Sequence, residues 1–416
     1  MGAPQCVLVG CGPMGIAAAD NLTEDVRDGR LRLLLADRDP DRAAHARTRY
    51  AELGGSVEVV HGTAEQEQVR RAVSRANVLA TALTWKDAEP IIAYGLGRGV
   101  PVTGIGQPPG DPRQLLGESA RGCRALLPVG LEPGLTEILA TELLARLGDG
   151  TGLSVLCGGV PQQPRPPLGH SSWFGTRLTI DQRRAHAVRR GRIVEVERFT
   201  GTELVEVPGV GVLEASHDAM QTWPADGPLL SGVSDMTQKT LRWPGFAEKV
   251  RLLAAVGMLQ ESPVRVGGVH VVPRDVLDAV LAPRITPRAR DRDVTVLVAE
   301  GVARHGPKPE RRSLLVLARG GDRSAVSGMA LLTGGALAES VRVLLRENPA
   351  LPHGVLRAAE VFTGHLLRDL LGRLRRHGAT IVETDGPAVH RIAPARTEGG
   401  PYRRSFATTD RGPDGP

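Results

Sequence analysis

Apolar and polar positions along the first 130 residues alternate between short continuous apolar runs and longer stretches with helical spacing. The runs Cys6–Val9, Leu31–Ala36, Val57–Val60, Val78–Leu83 and Val102–Ile105 predict strands covered on both faces, as in a parallel sheet joined by crossover helices. Helix starts are marked in the same region. Asp39–Pro40 and Asp111–Pro112 each pair an N-cap acceptor with a proline in the first turn, and Thr63 with Gln66 has the spacing of a capping box. After Leu126–Val129 and the turn Gly130-Leu131-Glu132-Pro133-Gly134, a helix is predicted over Thr136–Leu147 and the alternation changes character.

Residues 150–330 read as strand-rich by the period of two, at Leu153–Leu156, Ile193–Phe199, Glu203–Val207, Val233–Leu241, Val294–Glu300 and Ser313–Ala318. They predict an open mixed sheet. Helices follow at Ala336–Arg346 and Phe362–His377, then a strand at Thr380–Glu383. From Ala393 the chain is polar and rich in Gly, Pro and Arg, which predicts a disordered tail. The expected organisation is therefore α/β throughout. A first domain spans residues 1–130, a second domain on an open mixed sheet spans 131–330, C-terminal helices span 331–392 and the tail spans 393–416.

Composition adds little. The chain has 416 residues, 41% hydrophobic and 24% charged, with a formal net charge of +6. Arginine is scattered and lysine occurs at Lys86, Lys239, Lys249 and Lys308 alone, with no clustered basic face, so no nucleic-acid partner is expected. Cys6, Cys11, Cys123 and Cys157 lack the paired spacings of a zinc site or disulfide framework, so no metal is expected. No charged leader opens the sequence and no apolar stretch reaches spanning length, giving the expectation of a cytoplasmic protein with no membrane partner.

The chemistry begins at Gly10-Cys11-Gly12-Pro13-Met14-Gly15. This GxGxxG run follows the first strand and opens a helix, and Asp37 ends the second strand 22 residues after Gly15. That context is the fingerprint of a Rossmann domain. Gly10 serves the tight turn, Gly12 the approach of a pyrophosphate, Gly15 the helix-to-strand packing, and Asp37 the adenosine ribose. A carboxylate there favours NAD over NADP, with Arg38 next to it as the complication. Ligands lie beyond the carboxyl ends of parallel strands, so Gly62 and Thr63 are expected near adenine. Ala82, Leu83 and Thr84 follow the fourth strand, and Gly104, Ile105 and Gly106 are expected near nicotinamide.

The run from the glycine loop through PVTGIG (101–106) to LPVGLEPGLTEILATEL (127–143) resembles the saccharopine dehydrogenase-like family. The blocks CGGVPQQPRPPLGHSSW, RRGRIVEV, PGVGVLEA, DMTQKTLRWPGFAEK and VRVGGVHVVPRDVL resemble its lysine 6-dehydrogenase branch in order and spacing. The resemblance implies NAD(P)-linked oxidation of an amine, or reduction of an imine, in an amino-acid-like substrate, in a homodimer. Several positions depart from the family pattern. Gly104-Ile105-Gly106-Gln107 stands where an Asp with Leu-Gly-Gly is common, Asp181–His186 replaces a Tyr-Thr-Asn-Pro-like segment, and Phe246 replaces a His. In Ser216-His217-Asp218-Ala219 only the Asp is kept. Together they imply a changed substrate.

Hydride transfer from a carbon bearing an amine needs a positioned substrate and a proton acceptor. Arg242 is the candidate carboxylate clamp, with a surface ion pair as its plain alternative. For acid–base work the candidates are His217, Asp218, His186, Lys86 and Glu132. Glu132 stands where the family has Ala, and a capping role on the following helix competes with a catalytic one. Trp173, Trp223 and Trp243 are candidates for pocket walls or for ordinary core packing. Two further readings remain open: a reductive condensing enzyme that reduces an imine it forms, and a catalytically silent dinucleotide-binding protein.

Overall fold

A computed structural model describes residues 2–394 apart from 174–176, 179, 181–183, 219–231, 289, 307, 322–325 and 347–350. Trp223, Ala219, residues 181–183 and the tail beyond 394 lie outside the described residues.

The five apolar runs of the first region form the strands Gln5–Val9, Arg32–Asp37, Val57–His61, Val78–Thr81 and Val102–Gly104. With Arg124–Leu126 and Gly354–Leu356 they make one seven-stranded sheet, all its pairs parallel. Its order places the third, second, first, fourth, fifth and sixth strands side by side, with Gly354–Leu356 beyond the sixth. That is the doubly wound Rossmann order, with the switch point at the first strand. The helices start as their sequence dictates. Asp39 accepts hydrogen bonds from the Asp41 and Arg42 amides and Asp111 from the Arg113 amide, each ahead of a proline in the first turn. The capping box at Thr63 does not form. The helix begins at Glu67 with Gln66 as N-cap, and the Gln66 amide instead donates to the Thr63 carbonyl in a preceding turn.

The second sheet has ten strands and is mixed. Thr151–Pro161 lies parallel to Val233–Arg242 and antiparallel to Asp293–Ala303; Glu310–Arg319 and Thr380–Thr384 extend one side, Gly211–His217, Glu203–Val207 and His390–Pro394 the other. Ala185–Arg189 pairs with Val233–Arg242 and with Arg192–Val196. The strands Ala185–Arg189 and Gly211–His217 are not expected from the periodicity. The second is one arm of a hairpin closed at Pro208-Gly209, where Gly209 adopts φ +70°. The tail does not begin at Ala393: backbone pairing with Glu203–Glu206 carries an ordered strand to Pro394.

Alternation along the second sheet gives it two unlike faces. Leu156, Val160, Leu213, Ala215 and Leu241 pack on the far side. Leu153, Val155, Cys157 and Met236 face helix Leu135–Leu147, helix Gly328–Leu345 and the first domain in one continuous core. Helix Gly328–Leu345 starts earlier than the predicted Ala336 and is 18 residues long and apolar enough to span a membrane, contrary to the expectation that no stretch is, yet it is 89% buried inside the protein. It lies on the first helix so closely that a Cβ on Gly334 would sit 2.6 Å from that of Ala17. A buried ionic network fixes this crossing. Arg342 holds Asp25 at 2.7 Å and Glu339 at 3.0 Å, and Arg373 reaches Glu339 at 2.9 Å. At the other end of the helix, buried Asp293 accepts from the Gly328 and Met329 amides, tying its N-terminus to the second sheet.

Candidate functional site

The first sheet ends at the glycine loop. Gly10 takes φ +106°, and a Cβ there would lie 2.7 Å from the Ala82 carbonyl oxygen; a Cβ on Gly15 would lie 1.8 Å from that of Gly10. Both glycines are required by the protein's own packing. Gly12 differs, because a Cβ there would meet nothing nearer than the Arg42 guanidinium at 3.6 Å. The space above Gly12, at the N-terminus of helix Pro13–Arg27, is an open cradle that fits a pyrophosphate. Met14 packs inward against Ala17 and Ala330.

Asp37 is buried at the end of the second strand, where one oxygen accepts from the Cys11 amide at 2.6 Å and the other from the Asp39 amide at 2.8 Å. The glycine loop thus fixes its carboxylate. Arg38 is exposed and reaches Asp87 at 3.4 Å, while the Thr84 hydroxyl donates to the other oxygen of Asp87 at 3.0 Å. Gly62 and Thr63 follow the third strand; Ala82 and Leu83 follow the fourth, with Leu83 against Gly10. Gly104 closes the fifth strand, where a Cβ would lie 2.2 Å from the Thr81 hydroxyl, and Gly106 is less tight, a Cβ there lying 2.9 Å from the Trp85 amide nitrogen.

Beyond the fifth strand the two domains meet. The Val129 amide donates to the Gly104 carbonyl at 2.8 Å, and a Cβ on Gly130 would lie 3.9 Å from the Ile105 Cβ. Gly130 and Gly134 then bridge one another across a tight loop that projects Glu132 toward the second sheet. The helix-capping role falls to Glu137, which accepts from the Gly134 amide at 2.6 Å and the Thr136 hydroxyl at 2.8 Å. Glu132 is therefore free to face Gln238, whose side-chain amide donates to its Oε1. As a residue Glu132 is exposed, while its carboxylate end is set against Gln238 and Cys157. Burial pushes its pKa up to about 7, and the nearby Asp218 charge adds to the rise. Cys157, on the same face, bonds to Glu132, and burial drives its thiol well above the usual range.

Gln238 and Arg242 lie four residues apart on one strand and so share the near face with Met236. The Arg242 guanidinium is enclosed. Its Nη1 donates to the Leu241 carbonyl at 2.7 Å, its Nε has no partner, and its carbon lies 5.6 Å from the Phe246 ring centre. Burial depresses its pKa, which the charges of Asp218 and Glu132 partly offset. Asp218 itself accepts from Arg198 Nε at 2.5 Å, and Arg198 stacks on Phe199 at 4.6 Å. His170 leans on Phe246, its ring centre 5.6 Å away, with a buried Nδ1 that has no partner.

Of the residues singled out from the sequence, the structure brings together Glu132, Asp218 and Arg242. It does not bring His217, Trp243 or Lys86 to them. His217 shares the far face with Leu213 and Ala215, one strand position from Asp218 and so on the opposite side. There it pairs in register with Lys239, which is committed to the Gly201 carbonyl at 2.6 Å and Glu203 at 2.8 Å. Burial and the Lys239 charge lower the His217 pKa to about 4. Trp243 likewise turns away from Arg242, donating to the Pro161 carbonyl at 2.8 Å and packing behind the sheet. Lys86 is exposed on the first turn of helix Trp85–Gly97, and His186 lies in strand Ala185–Arg189. Gln238, Cys157, Arg198 and His170 complete the cluster without having been expected. The strand period that joins Gln238 to Arg242 was the available signal.

A glycine loop at the switch point of a doubly wound sheet, with a polar cluster of a second sheet facing its fifth strand, defines a two-domain dinucleotide-binding architecture. Residues 130–379 match the family model described as the saccharopine dehydrogenase C-terminal domain, and the chain belongs to the saccharopine dehydrogenase family. Its fold is similar to apo saccharopine dehydrogenase (L-Glu forming) from Saccharomyces cerevisiae, with a TM-score of 0.75 at 16% identity over 92% of this chain and 100% of that one. An inositol dehydrogenase homolog complexed with NAD+ from Azotobacter vinelandii matches with a TM-score of 0.34 at 10% identity, over 92% of this chain and 98% of that one.

Proposed function

We propose that the protein is a nicotinamide-dinucleotide-dependent oxidoreductase acting on an amine or imine of an amino-acid-like substrate, lysine 6-dehydrogenase-like or saccharopine dehydrogenase-like with a changed substrate, and with NAD preferred over NADP. We further propose that it works as a cytoplasmic homodimer. The observation that carries the reading is the position of Glu132. A carboxylate with a pKa of about 7 stands beside the end of the fifth strand, where nicotinamide is expected, and inside a cluster that also holds an enclosed guanidinium.

The residues divide the work as follows. Gly10, Gly12, Gly15 and Asp37 hold the dinucleotide, whose nicotinamide supplies hydride acceptance when bound. Arg242 takes the substrate carboxylate. Glu132 accepts a proton from the substrate ammonium, freeing the nitrogen lone pair that drives hydride departure from the adjacent carbon and leaves an iminium. Gln238 orients the Glu132 carboxylate, and Asp218, held by Arg198, adds negative potential that stabilises the developing cation. The family membership and the fit of the glycine cradle support the same reading. Cofactor turnover with a panel of diamines, basic amino acids and keto acids tests it. Cofactor binding without turnover on any member would reject the oxidoreductase reading in favour of a silent binding protein.

A further inference from the structure

We infer that His170 and Arg242 form one carboxylate-binding subsite, in which His170 supplies a neutral hydrogen-bond donor beside the charged guanidinium. The inference rests on reading the cluster around Glu132 as a substrate site. It adds a residue that neither the glycine fingerprint nor the clamp argument assigns.

Two orphaned groups carry it. Arg242 is enclosed with a single hydrogen bond, to the Leu241 carbonyl, and an Nε that donates to nothing; among the described residues it makes no ion pair. The residue is half-buried, but its Nε is fully buried, and a buried N–H left so is costly unless an acceptor completes it. His170 is the second orphan, with a buried Nδ1 that has no partner. Both stand against the same ring: the His170 centre lies 5.6 Å from that of Phe246 at an interplanar angle of 55°, and the Arg242 guanidinium carbon lies 5.6 Å from it.

Phe246 is itself firmly placed. It begins helix Phe246–Ala255, and Glu214 accepts from the Gly245 and Ala247 amides on either side of it, both at 2.8 Å. The ring is therefore a fixed wall, and His170 and Arg242 both lie against it, close enough for the Arg242 charge to act on the imidazole. Burial and the Arg242 charge hold the His170 pKa down at about 3, so its imidazole adds an N–H without a like charge next to the guanidinium. A carboxylate offers two planar oxygens, which suits one guanidinium and one neighbouring N–H. The other charges nearby are already engaged, since Arg198 holds Asp218 and Gln238 holds Glu132.

The test uses the full chain loaded with NADH and labelled with 15N-histidine, titrated with sodium acetate against sodium chloride at matched ionic strength. The His170 ring signals, assigned by their loss in His170→Gln, are expected to move with acetate and not with chloride, and to stay still in Arg242→Gln. Acetate affinity should fall about tenfold in His170→Leu, equivalent to about 1.4 kcal/mol, and recover in His170→Gln, which keeps an N–H donor. Melting temperatures and NADH affinity of each variant report folding. Unmoved ring signals, movement that chloride reproduces (an adventitious ion only), or movement that persists in Arg242→Gln overturns the subsite. Equal acetate affinity in folded His170→Leu returns His170 to a packing role. The acetate response can also be read on apoprotein, so a failure of NADH to bind would sink the proposed function without masking this result.

Discussion

Replacing Glu132 by Gln removes the ionisable group while keeping the side chain's shape, and its consequences follow from the raised pKa. With a pKa of about 7, Glu132 is ionised to about 9% at pH 6 and about 91% at pH 8. If the carboxylate accepts the substrate proton, kcat/KM for amine oxidation rises about tenfold across that interval and levels off above it. The imine-reducing direction, which uses the protonated form, falls over the same range. Glu132→Gln should lower the oxidation rate by about a hundredfold to ten-thousandfold and flatten the limb. Removing the second cause of the shift, in Asp218→Asn, should move the wild-type limb to lower pH. Stability gives an independent sign. The folded state holds this proton up to about pH 7, whereas the unfolded chain releases it near its ordinary value of 4.5, so the destabilisation grows between those values and is complete above pH 7. Glu132→Gln should therefore melt higher than wild type at pH 8 and match it near pH 4. A pH–rate limb near 7 that persists unchanged in Glu132→Gln would refute the assignment.

The remaining predictions address the cofactor half and the join between the domains. Gly12→Ala should leave the melting temperature nearly unchanged and weaken NADH binding at least about tenfold, whereas Gly15→Ala, whose Cβ would lie 1.8 Å from the Gly10 carbonyl oxygen, should lose about 1–3 kcal/mol or more of stability. Fluorescence titration should show NAD favoured over NADP by about tenfold, about 1.4 kcal/mol. Asp37→Ser should relax that preference and also weaken NAD, because the Cys11 and Asp39 amides lose their acceptor. Tight NADP binding by the wild type, unaffected by the substitution, would show that Asp37 does not face the ribose. Arg342→Ala should cost about 3–5 kcal/mol by leaving Asp25 and Glu339 buried without their partner, read as a drop in melting temperature of several degrees.

Much of the cofactor domain was legible because each of its devices is local. The apolar runs, the Asp–Pro helix starts and the spacing from Gly15 to Asp37 all lie within short stretches, and neighbouring strands in sequence are neighbours or near neighbours in the sheet. The cluster around Glu132 is non-local. It joins a turn near residue 132 to a strand at 238–242, a segment at 198 and another at 170, and nothing in the spacing brings them together. His217 shows the same limit at one-residue resolution. A sequence block places His217 and Asp218 equally near a cleft, and only the strand's register shows that the pleat sends the histidine behind the sheet to Lys239. Trp243 is separated from Arg242 by the same alternation. Thr63 does not cap because the helix starts later, at Glu67, with Gln66 at the N-cap position. Capping by Glu137 in place of Glu132 could have been weighed from the spacing alone, since Glu137 sits three residues after Gly134, where a capping-box carboxylate belongs.

Under the proposed function a substrate amine is oxidised where the fifth strand's end meets Glu132, by hydride transfer to a dinucleotide held over Gly12. The most direct measurement incubates the protein with NAD and a pool of perdeuterated amino acids and determines the isotopic mass of the NADH formed. Deuterium-labelled NADH is expected from the wild type, with the signal lost in Arg242→Ala and strongly reduced in Glu132→Gln. NAD that binds but is recovered unreduced, or NADH formed without deuterium, would contradict the proposed function.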